Sequence, residues 1–315
     1  MTGNKTHKRS KITRITSVLF LVVLVGVALA LATFAYSYIE GKNAYERVAE
    51  IAFEAPPASP TNGEVNEQQP LILTVDWDAL AAVNPDIVGW IYLPDTAINY
   101  PIVRGSDNER YLTYNFNGQR GANWLPTYGT PFLLAENAAD FSDANNVIQA
   151  HNMANGTMFA KIPELMDATE FNAYRKVYLL TPSGNYRLTS ISMVVSRPYE
   201  TILQTSFGSQ EEFQSYVQGL INRSVVSPEP AAPLASEVNK LFMFSTCTSD
   251  GGQYRCVLVC AVTEFEQRSG EFVRTRSLRV LWGLHILRSP RISRGPRSLR
   301  ISRRRAQLRQ QSFAS

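Results

Sequence analysis

A chain of 315 residues that is 44% hydrophobic and 18% charged can bury a full core, which excludes disorder along its whole length. Its formal net charge of +4 averages over unlike regions: residues 1–14 carry five Lys/Arg and no acid, residues 268–315 carry thirteen Arg and one acid, and this leaves 13 basic and 26 acidic residues between them. The basic excess sits in two tails around an acidic body, so nothing in the overall charge predicts nucleic acid as a partner.

Residues 1–14 read as a basic cytoplasmic tail. From Ile15 to Ile39 no charged residue interrupts 25 positions rich in Val, Leu, Ala and Phe, and roughly 20 such residues cross a bilayer as a helix. The run exceeds the apolar core of a cleaved signal peptide, about 7 to 15 residues, and Tyr36-Ser37-Tyr38 is a poor cleavage site. Basic residues before it place the N-terminus in the cytoplasm and the body outside, in a single-pass cell-membrane protein. Residues 40–70 follow as stalk and linker, helical over Gly41 to Ala52 and then rich in proline, with Pro56, Pro57, Pro60 and Pro70.

The folded domain is expected over 71–267. It begins with a helix at Asp76 to Val83 and the turn Asn84-Pro85-Asp86. Strand-like runs then occupy Ile87 to Leu93, Tyr100 to Val103, Pro131 to Leu134, Asn146 to Ala150, Val177 to Leu180, Tyr186 to Val195, Leu241 to Ser245 and Arg255 to Val262. Short β runs separated by turn residues predict a mainly β barrel or sandwich rather than alternating βαβ units. Ser209 to Arg223 carries helical periodicity, with Phe213, Tyr216, Val217 and Leu220 on one face. No phosphate-binding glycine loop or metal-ligand spacing is present, so no cofactor and no metal are expected.

Three cysteines occur. Cys256 and Cys260 lie four apart in an apolar strand, which at about 3.3 Å per residue separates them too far for a disulfide. Both read as small core residues. Cys247 instead ends the run Phe244-Ser245-Thr246-Cys247, where a thiol is exposed enough to react. His151, the one histidine between the two tails, ends the run Val147-Ile148-Gln149-Ala150, and Arg255 opens the strand after Cys247. Acyl transfer requires a nucleophile, a proton donor for the leaving amine and a group that stabilises the oxyanion, and these residue types supply one each. Singly, each has an ordinary structural alternative: a packed thiol, a turn-capping imidazole, a solvated arginine.

Several motifs occur in a recognisable order. Val75-Asp76-Trp77-Asp78-Ala79-Leu80, Asn84-Pro85-Asp86-Ile87-Val88-Gly89-Trp90-Ile91 and Asn99-Tyr100-Pro101-Ile102-Val103 come first. Asp107-Asn108 with Tyr111-Leu112, His151-Asn152-Met153 with Gly156-Thr157-Met158-Phe159, and Ser245-Thr246-Cys247-Thr248 with Arg255 come after them. Over about Leu71 to Val262 this resembles the class B sortases. The resemblance implies an eight-stranded sortase-type β-barrel with an N-terminal helix and a helix between the sixth and seventh strands, preceded by one transmembrane helix. It implies a cysteine transpeptidase with Cys247 as nucleophile, His151 as acid/base and Arg255 as oxyanion stabiliser, and with Ser245, Thr246 and Asn152 contacting substrate. Its partners would be secreted proteins bearing a C-terminal sorting signal and a lipid-linked cell-wall peptide precursor as amine acceptor. Pilin polymerisation, hydrolysis on the same barrel and a silent tethered binding module are the alternative functions. Met243-Phe244 stands where the family usually has Thr-Leu, and Gln149-Ala150 where an aromatic and a glycine are usual; the second departure bears on substrate contacts more than on mechanism.

Beyond the last strand, residues 268–315 use arginine and no lysine as their basic residue. That shift of composition predicts a disordered or frame-shifted tail outside the enzyme proper.

Overall fold

The computed structural model of the chain describes residues 4–53, 74–120, 128–197, 200, 202–248 and 252–268, all within the compact unit Met1–Thr275. The linker at 54–70 and nearly all of the arginine-rich tail lie outside these residues. Eight strands close a barrel: β1 (Ile87–Tyr92), β2 (Asn99–Val103), β3 (Phe132–Leu133), β4 (Asn145–Gln149), β5 (Lys176–Leu180), β6 (Gly184–Ser196), β7 (Leu241–Cys247) and β8 (Arg255–Gln267). Around the barrel they run β1, β2, β3, β4, β7, β8, β6, β5 and back to β1. Apolar runs such as Leu241 to Phe244 and Cys256 to Ala261 are buried, with Trp90, Phe132, Phe159, Phe242 and Phe244 at most 1% exposed. Burying a side chain of this size stabilises by roughly 1.5–3 kcal/mol before entropy is subtracted.

Two pairings break the antiparallel pattern. β2 lies parallel to β3, and β4 lies parallel to β7, with Gln149 opposite Ser245. Of the helices, α1 (Asn4–Ala52) precedes the barrel, α2 (Trp77–Val83) is capped by the Asp76 carboxylate on Ala79 N, and α3 (Arg110–Thr113), α4 (Lys161–Glu164) and α5 (Ala168–Ala173) are short insertions. Asp107 receives the amides of Glu109 and Arg110 at the start of α3, and these two donors hold its carboxyl below the usual range. The amphipathic helix expected near 209–223 is α6 (Gln210–Asn222), between β6 and β7, with Ser209 accepting from Glu212 N.

α1 is one continuous helix, and its two ends face different surroundings. The segment Thr16–Ala52 is long and apolar enough to cross a membrane, and over Thr16 to Tyr36 every side chain is exposed. Further along, Tyr45, Val48 and Ala52 fall on one face, at i, i+3 and i+7, and are buried with Phe53 against the barrel. Tyr45 meets Tyr100 edge-on at 5.4 Å, and Phe53 meets Trp90 edge-on at 5.2 Å. The segment expected as a stalk is therefore packed on the domain it carries.

β8 outruns its apolar stretch. Past Val262 its ladder continues beside β6, where Arg187 Nη1 contacts Glu264 Oε2 at 3.0 Å. Arg268 N then donates to Ser183 O at 3.1 Å and its guanidinium to Val75 O at 3.3 Å. Barrel closure is complete there. A chain ending after Arg268 is expected to keep the melting temperature and transfer rate of the full chain. One ending after Gln267 loses two hydrogen bonds, about 1 kcal/mol each, which a thermal melt would register.

Candidate active site

Parallel pairing of β4 with β7 sets the site. Gln149 faces Ser245, so two residues on, where both strands leave the sheet, His151 and Cys247 emerge at the same end. Ala150 N donates to Ser245 O at 3.2 Å and Thr246 Oγ1 donates to Ala150 O at 2.8 Å, which carries the pairing to the last residue before His151. β8 runs antiparallel on the other side of β7 and puts Arg255 directly opposite Cys247. Neighbouring strands are about 4.8 Å apart, so three adjacent strand ends deliver thiol, imidazole and guanidinium to one rim.

The contacts there are specific. Arg255 Nη1 donates to Cys247 Sγ at 2.8 Å, which places a positive charge directly on the sulfur. His151 Nε2 lies 2.7 Å from Leu112 O. A carbonyl can only accept, so Nε2 carries the hydrogen, and Nδ1 is left for proton transfer. Asn152 Nδ2 donates to Cys247 O at 3.1 Å and so joins the histidine-bearing turn to the end of the cysteine-bearing strand. Gly252, at φ +77°, passes close enough to Cys247 that a Cβ there would lie 3.8 Å from Sγ. Cys247, His151, Asn152 and Arg255 are all partly exposed, as reacting groups must be.

Ser245 and Thr246 sit differently. Both belong to the buried ladder, at 1% and 0% exposure; Thr246 is engaged with Ala150 O, and Ser245 Oγ has no hydrogen-bond partner among the described residues. They lie beneath the rim, and Asn152 reaches it. Cys256, the second residue of β8, and Cys260, in mid-strand, are fully buried, and no disulfide joins any of the three thiols. Burial pushes the Cys260 thiol up to about 12, so it stays protonated and inert.

The Leu112 carbonyl gives no sign in the sequence, since a backbone acceptor has no residue type. Its support is visible only in three dimensions: Gly129, at φ +59°, packs so closely that a Cβ would lie 3.0 Å from Leu112 O and 3.2 Å from His151 Cδ2.

Comparison with known proteins bears on the sequence and the fold as a whole. No family model matches the chain. Sortase B of Listeria monocytogenes is 29% identical over 178 residues, which cover 54% of this chain and 66% of the relative, just under two thirds of its length. Among solved structures, Clostridium perfringens sortase B superposes with a TM-score of 0.54 at 28% identity, covering 59% of this chain and 99% of that one. Sortase B of B. anthracis in complex with AAEK1 gives 0.57 at 25% identity, over 71% and 97%.

Proposed function

We propose that this chain, class B sortase-like in sequence and in fold, is a membrane-anchored cysteine transpeptidase. The observation that carries the reading is the guanidinium of Arg255 on the sulfur of Cys247, at a strand end in register with His151. The thiolate of Cys247 attacks the carbonyl carbon of a peptide bond in the sorting signal of a secreted protein. The tetrahedral oxyanion takes hydrogen bonds from Arg255. As the C–N bond breaks, protonated His151 gives its proton to the leaving amine, and a thioester remains on Cys247. An amine of a cell-wall peptide precursor then attacks the thioester and passes a proton to His151, the S–C bond breaks, and the thiolate is restored.

Asn152, at the rim, is assigned the contact with the bound peptide, with Ser245 and Thr246 shaping the floor under it. The apolar stretch of α1 serves as the single-pass anchor. Five basic residues ahead of it support a cytoplasmic N-terminus and an extracellular barrel. Anchoring makes physical sense, because a substrate with a membrane tail and a lipid-linked acceptor are confined to the same surface.

The test is incubation of the purified chain with a peptide library and an amine nucleophile, followed by mass spectrometry. A new amide between one peptide family and the amine is expected. Hydrolysed peptides alone, at saturating amine, would replace transfer with hydrolysis.

A further inference from the structure

The carbonyl-bound imidazole is supported from an unexpected direction, the base of the anchoring helix. Tyr45, on α1 and only 5% exposed, donates its hydroxyl to Gly129 O and lies 3.2 Å from Thr130 Oγ1. Thr130 is itself fixed twice, its amide donating to Tyr111 O at 2.9 Å and its hydroxyl to Tyr114 O at 3.0 Å. Gly129 thus sits between Tyr45, whose hydroxyl its carbonyl accepts, and the pair formed by His151 and Leu112 O, which a Cβ added at Gly129 would meet at 3.2 and 3.0 Å. A second route arrives from the same ring. Tyr45 packs edge-on against Tyr100, the Tyr100 hydroxyl accepts from Met158 N at 3.0 Å, and the next amide, Phe159 N, donates to His151 O at 2.9 Å. Side chain and backbone of His151 are therefore both tied, within a few bonds, to one tyrosine just beyond the apolar stretch.

We infer that Tyr45 is a positioning residue for His151, through which the anchoring helix holds the imidazole on the Leu112 carbonyl and keeps Nδ1 aimed at the reacting groups. The inference rests on the acid/base reading of His151 above. Proton transfer tolerates little displacement, and a shift of about 1 Å in a catalytic group costs up to about a hundredfold in rate. Loosening Gly129 would slow turnover and leave peptide binding intact.

Tyr45→Phe keeps the ring on Tyr100 and deletes only the hydroxyl. In the full chain, reconstituted in bilayer nanodiscs, kcat for amide transfer is expected to fall about tenfold while KM for the peptide stays within about twofold, as displacement without lost binding requires. Nitrogen-15 spectra of the imidazole, assigned by its absence in His151→Gln and recorded at a pH high enough to hold the ring neutral, are expected to show a single Nε2–H tautomer in the unaltered chain and a mixture in Tyr45→Phe. Val48→Ala, on the same buried face but outside this chain of contacts, should lower the melting temperature and leave kcat and the spectrum unchanged. Unaltered kcat and tautomer in Tyr45→Phe would overturn the inference, and so would an equal loss of kcat in Val48→Ala. Full transfer activity in His151→Gln would instead remove the acid/base reading, and the tautomer measurement tells the two failures apart.

Discussion

Replacing Cys247 by alanine is expected to abolish both the thioacyl intermediate and amide transfer, a loss of at least about 10⁴-fold. The neighbouring hydroxyls on β7 do not substitute: Ser245 is buried beneath the rim, and Thr246 is committed to Ala150 O. Cys256→Ala and Cys260→Ala should retain transfer, because both thiols point into the core, one 3.7 Å from Met166 Sδ and the other 3.4 Å from Ser190 Oγ. Each of these substitutions costs about 1 kcal/mol in lost packing, seen as a lower melting temperature rather than a lower rate. Alkylation of the folded chain near neutral pH should follow the same order, with one equivalent entering at Cys247. Transfer that survives Cys247→Ala would end the assignment of the nucleophile.

In the amino-acid sequence, one physical distinction separates the reactive cysteine from the other two. A run of continuous apolar residues, Cys256 to Ala261, is buried on both faces, whereas Phe244-Ser245-Thr246-Cys247 loses its apolar character as it approaches the end of the sheet. The same logic locates all eight strands to within a few residues. It cuts β8 short because Glu264 and Glu266 lie on a two-stranded extension, where polar side chains face solvent while the backbone ladder continues. The short helices α3, α4 and α5 also escape it, for a turn or so of helix carries no measurable period; α5 depends on its cap Asp167, and the turn into α3 on the Asp107 carboxylate. What sequence does not supply is the parallel pairing of β4 with β7, which joins residues 96 positions apart, Gln149 and Ser245, and alone brings histidine to cysteine. Nor does it distinguish Asn152 at the rim from Ser245 and Thr246 under it, since burial belongs to the closed barrel.

Arg255→Lys keeps the positive charge and is nevertheless expected to lower kcat for transfer by about 10² to 10³, the range found when one oxyanion donor is removed, or about 2.7–4 kcal/mol. Arg255 is the residue directly opposite Cys247, and its Nη1 is already on the sulfur at 2.8 Å, so the remaining N–H groups of the planar fork are carried along in fixed directions. As the sulfur gives up its negative charge to the substrate carbonyl, a neighbouring donor of the same group can take the new oxyanion without rotation of the side chain. A lysine ammonium is a rotating point charge at the end of a shorter reach and must choose between sulfur and oxygen. The loss should therefore fall on kcat with KM little changed, because the ground-state peptide carbonyl gains little from the donor. Turnover within a few-fold of the unaltered chain in Arg255→Lys, measured by amide product at saturating peptide and amine, would show that charge alone suffices and would leave Arg255 as a counter-ion to the thiolate.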